Sequence, residues 1–128
     1  MMGQSILIDS HILIWMLYEP DKISSESVKL IQDSVNVYVS VVSVWELAIK
    51  YNNKRLLYSP DEISLGIEQL NLTLLNLKIQ HSINIQNINL PHNDPFDTLL
   101  ISQSEIENLI FLTADKALLS SQYNTHKC

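Results

Sequence analysis

The sequence predicts an α/β fold with a central, mostly parallel β-sheet flanked by α-helices. Short apolar runs rich in β-branched residues alternate with stretches of helical periodicity, the pattern of strands joined by helical crossovers. The 128 residues hold no linker, repeat or low-complexity block and only two glycines, so residues 1–128 read as a single domain. Four carboxylates, Asp9, Glu46, Asp97 and Asp115, fall where an apolar strand hands over to a helix or one turn inside that helix. In an open parallel sheet the carboxyl ends of the strands line one crevice, where ligands bind.

Residues 5–8 form a short buried strand, and residues 11–18 place Ile12, Leu13, Trp15, Met16 and Leu17 on a helix packed against the sheet. Pro20 ends that helix, because the residue before a proline avoids the α region. Ile23, Val28, Leu30 and Ile31 give near-helical spacing over 24–33, with Ser24 or Ser25 as the N-cap. Residues 36–40 are a β-branched strand, and 42–51 return to helix. Ser59-Pro60 opens a helix over 61–70, followed by an apolar edge strand at 72–75 and a short helix over 78–85. A helix over 95–108, a strand over 109–113, a helical turn over 115–119 and a last strand near 124–127 complete the order.

Composition narrows the function classes. Hydrophobic residues make up 46% and charged residues 17%, which excludes a disordered chain. No stretch reaches the ~18 apolar residues of a membrane span, and no basic region precedes an apolar run as in a signal peptide. Cys128 is the only cysteine, which excludes an intrachain disulfide and a cysteine-based metal site. The expected compartment is the reducing cytoplasm. A net charge of −6, with eight Lys and Arg, gives no basic patch of the kind phosphate-binding modules show. Part of that acidity fits a metal site, whose charge is offset when the ion binds.

Each carboxylate has a structural alternative. Asp9 reads equally well as the N-cap of the helix that follows it. Asp94, Pro95 and Asp97 make a complete helix start: cap, first helical position and an acid in the first turn. Asp94 is accordingly assigned a supporting, structural role, and Asp115 could cap the turn after it. Glu46 differs, because it lies in the apolar stretch Val42-Ser43-Val44-Trp45-Glu46-Leu47-Ala48-Ile49. An i,i+4 pair with Lys50 contributes only about 0.2–0.5 kcal/mol, too little to justify burying an acid. Four converging acids repel one another unless a cation neutralises them.

The four histidines, His11, His81, His92 and His126, show no i,i+3 or i,i+4 pairing of zinc-ligand type. Ser10 and Ser43 have no base-and-orienter constellation, and no glycine-rich phosphate loop exists. Oxygen donors without cysteine or paired histidine suit Mg²⁺ or Mn²⁺. The chemistry such a site supports is metal-assisted phosphodiester hydrolysis, with phosphomonoester hydrolysis as the nearest competitor.

Four segments carry a resemblance to a known family. They are Ile6-Leu7-Ile8-Asp9-Ser10-His11, Val41-Val42-Ser43-Val44-Trp45-Glu46-Leu47-Ala48-Ile49-Lys50, Asp94-Pro95-Phe96-Asp97-Thr98-Leu99-Leu100-Ile101-Ser102-Gln103 and Leu112-Thr113-Ala114-Asp115. With their spacing, the chain resembles the PIN-domain nucleases, specifically the VapC-like toxins of bacterial toxin–antitoxin pairs. The resemblance implies a PIN-like domain with an acidic metal site at one edge of the sheet. It maps the family's four acids onto Asp9, Glu46, Asp97 and Asp115 as catalytic and metal-holding residues, and gives Ser10 and Thr113 supporting hydroxyls. It further implies a Mg²⁺- or Mn²⁺-dependent endoribonuclease, an RNA substrate, a cognate antitoxin and a homodimer. Lys50, Lys54 and Arg55 are the expected RNA phosphate contacts.

Two other phosphoryl-handling folds fit less well. A haloacid-dehalogenase-like phosphatase needs a second Asp two residues after the first, and position 11 is His. A receiver domain needs clustered acids after the first strand, where Ile6-Leu7-Ile8-Asp9 offers one. The alternative from a different class is a catalytically inactive RNA- or protein-binding module of the same fold, since intact ligands do not guarantee turnover.

Overall fold

The structure, a computed structural model, describes residues 3–119 and 123–128. Strand β1 (Ile6–Ile8) leads into helix α1 (Ser10–Tyr18), a 3-10 turn (Pro20–Lys22) and α2 (Ser25–Asp33). Then come β2 (Val37–Ser40), α3 (Val41–Asn52), α4 (Pro60–Gln69), β3 (Thr73–Leu75), α5 (Ile79–Ile83) and a second 3-10 turn (Asn84–Asn87). Helix α6 (Pro95–Ile106), β4 (Ile110–Thr113), α7 (Lys116–Leu119) and β5 (Thr125–Lys127) follow. The five strands form one parallel sheet in the order β3-β2-β1-β4-β5, so the predicted α/β class and the edge position of β3 both hold.

Both faces of the central strand are buried, as a parallel sheet covered by crossovers requires. Ile6 and Ile8 join Val39 and Leu112 on one face, against Ile12 and Leu13 of α1 and Ile63 and Ile67 of α4. Leu7 and Phe111 point the other way, to Leu100 and Ile101 of α6 and Leu118 of α7. The chain winds from β1 through β2 to β3 on one side and places β4 and β5 on the other. The order therefore reverses between β1 and β4, and in open parallel sheets the carboxyl ends of the strands at such a switch point are where ligands bind. Phe111 is fully buried, so Phe111→Ala should cost about 3–5 kcal/mol. Urea unfolding measures it, and a loss below about 1 kcal/mol would contradict the packing.

Element ends differ from the sequence reading where side chains or backbone geometry intervene. Helix α6 stops at Ile106 rather than 108 because Asn108 takes a left-handed φ of 56°. The Leu109 N–H donates to the Ser104 carbonyl at 2.8 Å and the Asn108 N–H to that of Glu105 at 3.3 Å, the paired bonds of a Schellman end. Helix α5 gives way to 3-10 geometry at Asn84, whose amide donates to Ser102 Oγ at 3.2 Å and Glu105 Oε1 at 3.1 Å on α6.

A buried polar network unforeseen in the sequence locks α5, α6 and the end of β2. Ser40 Oγ donates to Gln103 Oε1, and the Lys78 N–H donates to His81 Nδ1 at 3.0 Å. His81 is wholly buried and turns Nε2 to Glu107 Oε2 at 2.8 Å. Among the described residues no helix is long and apolar enough to cross a membrane.

Candidate metal centre

Asp9 leaves the end of β1 and caps α1, its Oδ1 accepting the Ile12 N–H at 3.0 Å. That cap uses one oxygen only. The other, Oδ2, accepts the hydroxyl of Thr113, the last residue of β4. Thr113 Oγ1 in turn accepts the Asp115 N–H at 3.0 Å. One hydroxyl thus ties the two strands at the switch point and fixes where both acids emerge. Asp115 also caps the following turn, with Oδ1 accepting the Ala117 N–H at 2.9 Å.

Glu46 arrives on α3, directly after β2. Its Oε1 accepts Ser10 Oγ at 2.6 Å, and its Oε2 pairs with Lys50 Nζ at 3.3 Å. The expected i,i+4 pair therefore exists beside a contact to the residue that follows Asp9. Lys50 faces an acid of the site, which leaves it less free for RNA phosphate than the sequence suggested. Lys54 and Arg55 lie exposed in the turn beyond α3.

Asp94 caps α6 as its spacing predicted, Oδ1 accepting the N–H groups of Phe96 at 2.9 Å and Asp97 at 3.3 Å. The cap sets Asp97 in the first turn, with Oδ2 3.5 Å from His92 Nε2. His92 Nδ1 accepts the Asp94 N–H at 3.2 Å, so in the neutral ring the proton sits on Nε2, facing Asp97. Atoms of His92, Asp97 and Asp115 able to bind a metal all lie within 4.8 Å of one another.

His92 is the site residue that sequence reasoning missed. His92 belongs to no helical pair: it comes from the loop before α6, five positions ahead of Asp97. The signal was present in His92-Asn93-Asp94-Pro95-Phe96-Asp97, but only the loop's folding brings the ring to the carboxylate. The group of acids therefore has an imidazole at its border, against Asp97.

The acids repel one another as expected. Burial first, then the charges of Asp94, Asp115 and Glu46, raise the Asp97 carboxyl to about 7 against the opposing pull of His92. Burial also lifts Asp9 above the ordinary carboxylate range, with a contribution from Glu46, while hydrogen bonds from Thr113 and Ile12 oppose the shift. Among the described residues no Lys or Arg pairs with Asp9, Asp97 or Asp115. Carboxylates held close, partly desolvated and lacking a protein cation fit a hard divalent ion.

A doubly wound parallel sheet with carboxylates gathered at its switch point defines a class of α/β domain built around an acidic, cation-accepting crevice. Within that class the chain belongs to the PIN domain family, whose model matches residues 6–121. Solved structures agree on the fold. VapBC2 from Rickettsia felis bound to a promoter DNA fragment has TM-score 0.69 and 10% identity, over 97% of this chain and 98% of that one. DNA-bound VapBC from Salmonella typhimurium has TM-score 0.67 and 14% identity, over 98% of both chains. FitAcB from Neisseria gonorrhoeae has TM-score 0.61 and 16% identity, over 94% of this chain and 95% of that one. A search of curated protein sequences gives no match.

Proposed function

We propose that this PIN domain, a single domain over residues 1–128, is a metal-dependent endoribonuclease and the toxin of a toxin–antitoxin pair. The observation that carries the reading is the gathering of Asp97, Asp115 and His92 at one end of the sheet, in a chain that matches the PIN family model. Asp9, Glu46, Asp97 and Asp115 hold Mg²⁺ or Mn²⁺. When bound, the ion supplies a lowered pKa for a water molecule and charge stabilisation for a phosphodiester undergoing in-line displacement.

The chain's own residues fix the geometry. Thr113 orients Asp9 through Oδ2, and Ser10 orients Glu46 through Oε1. Such outer hydrogen bonds set the direction of a ligand's lone pairs. His92 holds a proton on Nε2 beside Asp97 and limits the charge that builds up there. Lys54 and Arg55 are the exposed cations available to RNA phosphates.

The named neighbours are complexes of VapBC and FitAB type, which supports a cognate antitoxin as partner. Exposed apolar side chains, among them Trp45, Leu65, Ile79 and Ile83, offer surface for that partner and for a homodimer. The proposed compartment is the cytoplasm.

The test is cleavage of RNA by the purified chain with Mg²⁺ or Mn²⁺, compared with Asp9→Asn. Cleavage by wild type and its loss in the variant are expected. Intact RNA under every metal would favour the inactive binding module, and equal cutting by Asp9→Asn would remove the acids from the mechanism.

A further inference from the structure

Beside the acidic centre lies an open cavity of about 350 Å³, formed by the second 3-10 turn, the loop before α6 and the first two turns of α6. Its walls include Ile88, Leu90 and Leu99, half-buried side chains that pack on the core below Phe111. Asn89 and Asn93 line it with carboxamides that make no side-chain hydrogen bond among the described residues. His92 is the sole titratable side chain on its lining, and the same imidazole stands against Asp97. The cavity and the acidic centre therefore share a wall.

We propose that this cavity binds one unpaired RNA base next to the scissile phosphate and so selects the cut site. The proposal rests on the ribonuclease reading and names the substrate element it recognises. The volume is at the lower end for ligand clefts, about 300–1,000 Å³, with room for one base rather than a stacked pair. A base is flat and apolar on its faces and carries donors and acceptors on its edge. Aliphatic walls and two free carboxamides match both properties, and single-stranded RNA is read through such splayed-out bases. The near absence of charge argues against a phosphate occupant.

The loop is preorganised for this. The Asn89 N–H donates to Tyr123 Oη at 2.8 Å, and the His92 ring is fixed by the Asp94 N–H. A nucleotide whose base enters here carries its backbone past His92 toward Asp97 and Asp115. An acid site alone cuts without regard to sequence, and this cavity supplies the missing discrimination.

The experiment measures cleavage of short single-stranded RNAs that carry each of the four bases at each position around the cut, for wild type, Asn93→Ala and Asn93→Trp. Wild type should prefer one base at one position by about tenfold, within what one bidentate amide–base contact gives. Asn93→Ala should reduce that ratio below about threefold, and Asn93→Trp should fill the cavity and flatten it entirely. A second readout needs no turnover: an oligonucleotide carrying 2-aminopurine at the selected position, in EDTA, should change fluorescence on binding wild type and not Asn93→Trp. Cleavage by wild type with no base preference, or a preference unchanged in both variants, overturns the base site and leaves the ribonuclease reading standing. No cleavage of any RNA with either metal overturns the ribonuclease reading, and the base site with it.

Discussion

Asp97→Asn raises the melting temperature of the metal-free protein at about pH 8 and abolishes RNA cleavage. The two effects share one cause. Asp97 sits partly desolvated among Asp94, Asp115 and Glu46, and only His92 relieves it. Ionised, it works against folding. Asparagine keeps the shape and the place in the first turn of α6 but carries no charge, so the native state no longer holds that repulsion. A neutral amide is also a poor ligand for a hard cation. Removing even an outer partner of a metal ligand lowers affinity or activity by about 10–100-fold. Loss of Asp97 itself should therefore exceed about 100-fold, read as initial cleavage rate with saturating Mn²⁺. A gain in stability with loss of activity separates a functional acid from a structural cap, whose removal costs about 1 kcal/mol. If Asp97→Asn melts lower than wild type, the charge is compensated in the metal-free fold and the site reading fails.

The sequence identified the elements better than the contacts. Strand and helix order were legible because burial on both faces makes β1 an unbroken apolar run, while the helices around it follow a 3.6 period. The acids were legible as a set, but the contest between cap and ligand was posed too sharply. Asp9 caps α1 with one oxygen and meets Thr113 with the other, and Asp115 caps a turn while standing within reach of Asp97. A carboxylate has two oxygens, so a capping role leaves the second for another partner. Glu46 stands among apolar neighbours with its side chain only 14% exposed, and it does meet Lys50. What marks it is the bond from Ser10, 36 positions away.

Residues that act across loops stayed hidden. His92 has no periodic relation to Asp97, and Ser40, His81 and Gln103 read as ordinary polar positions until the fold buries them together. Local spacing reports helix and strand faces. It cannot report where a loop delivers a ring.

Without metal, the melting temperature should fall by roughly 5 °C or more between about pH 5 and pH 8. Saturating Mg²⁺ or Mn²⁺ should reverse the fall. The folded-state value of Asp97, about 7, lies above the ordinary carboxylate value of 3.8. Between those two values the native chain holds a proton that the unfolded chain has released. Rising pH therefore favours the unfolded state across that window, and the loss levels off once pH passes the folded value. Asp9 is raised as well and adds to the trend in the same direction. A divalent ion binds the ionised carboxylates, so it competes with those protons and gains affinity as pH rises. At a concentration about 100-fold above its dissociation constant, the ion stabilises the fold by about 2.7 kcal/mol. Melting curves with and without metal should then coincide near pH 5 and separate widely near pH 8. The pH-dependent fall should shrink in Asp97→Asn, the remainder coming from Asp9. A metal-free melting temperature that stays level or climbs over this range would show that the acids are already neutralised within the protein, leaving a cation nothing to relieve.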